Sequence, residues 1–120
     1  MIFKIETKYK VKNLANAYGI PWQSHMAETH RARKKIGILI SNALACGKLI
    51  KGKKKLKVTL TKIGQKCDLD NLGYNLKHVR DAIAEQLGID DGDSKRIEWF
   101  YKQINKPRAS YGFLVIEIAD

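Results

Sequence analysis

Between Leu69 and Leu87, apolar residues fall at Leu69, Leu72, Leu76, Val79, Ile83 and Leu87, in steps of three or four. That spacing lines them along one side of an α-helix, and Gly88 stands where a left-handed C-terminal cap belongs. A helix of about 17 residues is roughly 25 Å long. A single apolar stripe of that length has to lie on an apolar surface, and the rest of the chain is read for what supplies one.

Four segments have the pattern of strands. From Phe3 to Val11 the odd positions Phe3, Ile5, Thr7, Tyr9 and Val11 alternate with Lys4, Glu6, Lys8 and Lys10, the period of two of a half-buried strand. Leu56, Val58 and Leu60 alternate with Lys57, Thr59 and Thr61, and Ile97, Trp99 and Tyr101 with Glu98, Phe100 and Lys102. Phe113 to Ile118 is almost continuously apolar, which suits a well-buried strand. An antiparallel hairpin with the third strand is expected, through the turn at Lys106, Pro107, Arg108 and Ala109. A second helix carries Ile36, Leu39, Ile40, Ala43 and Leu44, with Ser24 as its N-cap and Gly47, just after Cys46, as its left-handed cap. The expected fold class is α+β: residues 1–120 as a single domain, with two helices on a small mixed sheet in the order β-α-β-α-β-β.

Composition narrows the partners. The 120 residues carry a net charge of +11. Residues 1–66 hold sixteen Lys or Arg against Glu6 and Glu28, a balance of +14, and residues 67–120 hold seven against ten acids, a balance of −3. Such asymmetry points to a polyanion, and no basic amphipathic helix with bulky aromatics argues for a membrane surface. The start, MIFKIETKYK, is charged from its fourth residue and lacks a secretory pattern. No apolar run approaches the roughly 20 residues of a membrane span. Cys46 and Cys67 form neither a CxxC pair nor a zinc spacing; a reducing cytoplasm is expected, with Cys46 as a small core residue. Residues 48–57, KLIKGKKKLK, form the densest basic run, in which Lys53, Lys54, Lys55 and Lys57, with Lys66 beyond it, are the DNA-binding candidates. It reads as a track for phosphates, with protection of a sheet edge as the alternative. His30, Arg31, Arg33, Lys34 and Lys35 either touch phosphate or form a solvated helix face.

Against this basic background the acids are concentrated: Asp68, Asp70, Asp81, Glu85, Asp90, Asp91 and Asp93 all lie between Cys67 and Ile97. In an extended segment, residues i and i+2 project to one side, so Asp68 and Asp70 can reach one point. Capping the helix explains one such acid but not two. All-oxygen carboxylate donors suit Mg²⁺ or Mn²⁺. Zinc is disfavoured by the spacing of His25, His30 and His78. A calcium loop starting at Asp68 fails because Val79 stands where a bidentate Glu is needed. Mg²⁺ held by aspartates beside a basic surface is the chemistry of phosphodiester hydrolysis, and Lys77 is the nearest lysine able to add positive charge.

The sequence Asp68-Leu69-Asp70-Asn71, then Lys77 ahead of Asp81-Ala82-Ile83, Gly88, and the pair Asp90-Asp91 before a strand resembles the RusA family of Holliday-junction endonucleases. The likeness covers roughly residues 66–100. It implies a RusA-like fold and a homodimeric, Mg²⁺-dependent endodeoxyribonuclease, with Mn²⁺ able to substitute, that cuts four-way DNA junctions by paired nicks. It implies metal ligation by Asp68, Asp70 and Asp91 and a catalytic role for Lys77, in a cytoplasmic protein encoded by a bacterium or a phage. Two departures stand out. The gap from Asp70 to Lys77 is about one turn longer than the family's, and Gly92 and Asp93 separate the acidic pair from the strand, leaving Asp90 or Asp93 as alternative third ligands. Two other functions compete: a basic nucleic-acid-binding module without catalysis, and a nuclease for other branched DNA.

Overall fold

The computed structural model describes residues 1–11, 22–50, 54–64, 67–106 and 113–120, with backbone alone for residues 22–25. Its strands are β1 (Ile2–Thr7), β2 (Leu56–Gly64), β3 (Ile97–Asn105) and β4 (Phe113–Ala119). Its helices are α1 (Trp22–Ala32), α2 (Ile38–Ala45), α3 (Leu69–Asn75) and α4 (Lys77–Leu87), with a π-helical turn, Arg33–Gly37, joining α1 to α2.

The mixed α+β class is as expected, but the element order differs from β-α-β-α-β-β because each expected helix is divided. The first starts at Trp22, so Ser24 lies inside its first turn and is not the N-cap. Ala32, Ile36, Ile40 and Ala43 are all buried. Steps of four drift around an ideal α-helix, and the wider π turn between Ala32 and Ile38 offsets that drift. At the far end, Gly47 adopts φ 73°. Lys48 N–H donates to Ala43 C=O at 3.0 Å and Gly47 N–H to Leu44 C=O at 3.3 Å, closing the helix as expected. Cys46 is exposed at this cap and Cys67 is buried, which corrects the expectation for Cys46.

The second expected helix breaks at Leu76, whose φ of −95° and ψ of 1° leave the α region. Leu72, Leu76, Val79, Ile83 and Leu87 are buried as their spacing demands, whereas Leu69 is 73% exposed. Leu69 is the first residue of α3, beside the N-cap Asp68, and the buried stripe begins one turn later, at Leu72.

The sheet order is β1-β4-β2-β3. The expected β3–β4 hairpin is not formed: β3 pairs parallel with β2, and β4 pairs antiparallel with both β1 and β2. The reason lies in the side chains. β4 is apolar on both faces and gains most from a neighbour on each side, whereas Phe100, Lys102 and Ile104 of β3 are exposed, a pattern an edge strand tolerates. Parallel pairing needs a long crossover, which α3 and α4 provide. The expected turn at Pro107, Arg108 and Ala109 lies outside the described residues.

Register sorts the sheet into two faces. Phe3, Val58, Leu60, Ile97, Leu114, Ile116 and Ile118 share one face and are buried with Ile36, Ile40, Leu76 and Ile83 of the helices in one cluster. No helix among the described residues is long and apolar enough to cross a membrane. Ile116→Ala, at the centre of β4, should cost about 2–5 kcal/mol through forfeited transfer energy and a cavity. Ile38→Ala, at a half-exposed helix position, should change stability by no more than about 0.5 kcal/mol; urea unfolding midpoints of the two variants check the difference.

Candidate functional site

The crossover is held to β3 at two places, and the acidic residues fall beside them. At the first, Cys67 N–H donates to Gln103 Oε1 at 3.2 Å and Gln103 Nε2 donates to Cys67 C=O at 2.9 Å. One carboxamide thus satisfies both backbone groups of the residue that leads into α3. Asp68 follows at the N-cap position with φ −60° and ψ 139°, and its side chain makes no capping hydrogen bond. Asp70 lies in the first turn of α3. The two are therefore not both in extended chain, and their convergence does not follow from strand geometry. Both carboxylates are exposed and line a shallow depression with Cys67 and Leu69. Neither has an ion-pair or hydrogen-bond partner among the described residues.

The second anchor is Arg80 on α4. Its Nη1 donates to the Tyr101 hydroxyl at 3.0 Å, and its Nη2 to the Asp91 backbone carbonyl at 2.8 Å. Trp99 Nε1 donates to the same carbonyl at 2.9 Å, and the Arg80 guanidinium stands 5.2 Å from the Trp99 ring centre. Arg80 Nε lies 3.0 Å from Asp91 Oδ2, an ion-pair distance. Its N–H does not aim at that oxygen, however, and the buried nitrogen has no hydrogen bond. We read the contact as charge attraction rather than as a directed bond. Asp90 Oδ1 accepts from Gly92 N–H at 3.0 Å and Asp93 Oδ1 from Lys95 N–H at 3.2 Å, so both shape their own turn.

These anchors keep the aspartates apart. Asp91 is tied to Trp99 and Cys67 to Gln103, four residues along β3, which is about 13 Å at roughly 3.3 Å per residue. Among the described residues, no three His, Cys, Asp or Glu side chains form a group able to hold a metal ion. In donor type, Asp68, Asp70 and Asp91 fit a hard cation; in placement they do not form one site, with Asp91 held by Arg80.

What stands near Asp91 is Asp81. Burial raises the Asp81 pKa first, and the Asp91 charge raises it further, against smaller lowering effects from Lys77, His78 and Arg80. Lys77, exposed in the first turn of α4, thus belongs electrostatically with Asp81. Lys62, on β2, is buried. It pairs in register with Gln103 on the helix-covered face, beside the clamp that leads to Asp68. Arg80, Gln103 and Lys62 carry no motif signal in the sequence. Only the strand period, which turns Trp99, Tyr101 and Gln103 toward the helices, points to their neighbourhood.

The basic run divides. Lys54 and Lys55 are exposed before β2, with Lys55 3.2 Å from Glu98. Lys57 projects from the opposite face of the sheet to the helices. Lys53 and Lys66 lie outside the described residues. On the first helical segment, Lys34 and Lys35 are exposed, and Arg33 meets Glu85 of α4 at 2.9 Å. Arg31 packs 4.2 Å above the Tyr9 ring and bonds Glu28 and the Lys10 carbonyl, so it is not part of a solvated face. Comparison with protein-family models finds no match, and comparison with curated proteins finds none.

The Asp81 shift has a sign that can be measured. A carboxyl whose pKa is raised by folding destabilises the folded state once the pH exceeds its unfolded value, and the penalty is complete above the folded one. Asp81→Asn should therefore raise the melting temperature at pH 7, and the gain should vanish below about pH 4, where the unfolded carboxyl is itself protonated. Melting curves of both proteins from pH 3 to 8 check this.

Proposed function

We propose that the protein is a Mg²⁺-dependent endodeoxyribonuclease selective for branched DNA, acting on four-way junctions as a homodimer. The observation that carries the proposal is the pair Asp68 and Asp70. Both carboxylates are exposed and without ion-pair or hydrogen-bond partners among the described residues, in a chain of net charge +11. Carboxylates without an ion-pair partner among the described residues, in so basic a chain, suit a cation ligand better than a structural ion pair. The likeness of residues 66–100 to the RusA family supports the same reading. Lys54, Lys34 and Lys35 are exposed and can bind phosphate, and Arg80 holds the loop that carries Asp91. Mg²⁺ is the cofactor of this reading, with Asp68 and Asp70 as its ligands; Asp91, Asp90 and Asp93, from which the sequence expects a third, form no donor group with them.

A second reading has its own observation. Asp91 is paired with Arg80, and no trio of donors forms among the described residues, which favours a nucleic-acid-binding module without catalysis.

A labelled synthetic four-way junction, incubated with the purified protein with and without Mg²⁺, separates the two. The nuclease reading expects paired nicks that need Mg²⁺, and Asp70→Asn that abolishes them while binding the junction at least as tightly. Junction binding without nicks in Mg²⁺ or Mn²⁺ establishes the binding module instead.

The basic run gives an independent check. Replacing Lys53, Lys54 and Lys55 with Ala should lower affinity for all DNA sequences alike. The log–log salt slope should fall by about 0.9 for each duplex phosphate that the variant no longer neutralises. An unchanged slope assigns the run to edge protection.

A further inference from the structure

β1 is an edge of the sheet: β4 lies on one side of it, and no strand among the described residues pairs with the other. In an antiparallel ladder alternate residues direct their N–H and C=O groups away from the partner strand, so β1 presents a row of such groups at this edge. Beside the row runs a groove of about 520 Å³ between β1 and α2. Phe3 and Ile5 of β1 and Leu39 and Ala43 of α2 give it apolar walls, with the exposed Asn42 on the α2 rim. Ile38 lies one turn before Asn42 on the same side of α2 and is 52% exposed, so it prolongs that rim. Ile50 N–H stands 3.1 Å from Met1 Sδ, which sets the chain leaving α2 against the start of β1.

Edge strands are commonly blunted by a charged side chain that points inward. The inward positions of β1 hold Phe3 and Ile5 instead, while Glu6 projects from the opposite face of the sheet. An edge flanked by a helix in this way accepts an extended segment as an added strand. Backbone hydrogen bonds supply affinity, and alternate side chains of the segment enter the apolar groove. Charge selects the segment. Lys4, at the edge, and Lys48, beyond the end of α2, are both exposed and line the groove, and no acid lines it among the described residues. At the start of β1, Asp120 is already paired with the Met1 ammonium at 2.7 Å. A phosphate chain would meet the two lysines but leave the backbone row and the apolar walls unused.

We propose that the groove between β1 and α2 binds an extended acidic segment of a partner protein, apolar at alternate positions, as a fifth strand beside β1. The apolar side chains of the segment cover Phe3, Ile5, Leu39 and Ala43. Its carboxylates meet Lys4 and Lys48. The volume falls within the roughly 300–1,000 Å³ of ordinary ligand pockets. Asp68 and Asp70 line a different depression, so peptide binding at β1 stands whether or not the protein cuts DNA.

Fluorescence anisotropy tests this with the full chain and a short fluorescein-labelled peptide of alternating valine and glutamate. The wild type should bind the probe saturably, with a Kd of about 100 μM or tighter. Methylating the backbone nitrogens removes ladder donors and keeps the charge. Because side chains and N–H groups alternate together along a strand, methylation of one set, valine or glutamate, should weaken binding about tenfold or more, and methylation of the other should leave it nearly unchanged. Lysine in place of glutamate in the probe should also weaken binding about tenfold or more. Lys48→Glu and Ile38→Asp should each weaken it about fivefold or more, and Lys102→Glu, on the opposite face of the sheet, should leave it as it is. Melting curves confirm folding, and if Ile38→Asp fails to fold, Lys48→Glu alone decides. The proposal is overturned if no saturable binding occurs, if both methylated probes bind alike, if the lysine probe binds as well, or if Lys48→Glu has no effect. It is equally overturned if a single-stranded oligonucleotide displaces the probe as readily as unlabelled peptide does, which makes the groove part of a nucleic-acid surface.

Discussion

The parallel pairing of β2 with β3 is the constraint on which the rest of the structure depends. Two parallel strands cannot be joined by a tight turn, so the 32 residues between Gly64 and Ile97 must cross one face of the sheet. That crossing lays α3 and α4 under β3 and presents Asp68 and Asp70 at one end of the strand and Asp91 at the other. It also concentrates helix packing on a single face. Cys67–Gln103 and Arg80–Tyr101 hold the two ends of the crossing in place through hydrogen bonds, which demand direction where the apolar core alone would let the helices slide.

Local pattern was legible and long-range pairing was not. The strand periods, the stripe from Leu72 to Leu87 and the caps at Gly47 and Gly88 could be read directly, because each depends on neighbours within a few residues. The hairpin expected between β3 and β4 failed because a short connection is ambiguous. The chain after Asn105 can turn back beside β3 or pass to the far side of β2, and the choice depends on which strand must be buried on both faces. Leu69 was misplaced at the end of the stripe, because it is the first residue of α3 and burial begins only at Leu72. The break at Leu76 interrupts the helical phase, and nothing in the steps of three and four signals it.

The site was legible in its residue types and less so in its geometry. The sequence selects Asp68, Asp70 and Asp91 by chemistry, and the structure separates the first two from the third. Asp91 lies against a guanidinium, itself fixed by Tyr101 and Trp99. Of the basic run, Lys57 projects from the face opposite the helices, Lys55 meets Glu98 and Lys54 is exposed before β2. Charge counted along the chain is therefore not charge counted on a surface.

The π turn between α1 and α2 makes one residue of the first helical segment dispensable to its phase. Each residue of an α-helix advances it by about 100°, and a π turn, closing its hydrogen bonds over five residues instead of four, advances it less per residue. The five residues Arg33–Gly37 therefore turn the chain about as far as four α-helical ones. Deleting one of them would restore ordinary helical hydrogen bonding with Ala32 still in the core and Arg31 still over the Tyr9 ring. A deletion within α2 has no such compensation and would rotate α1 by about 100° against the sheet.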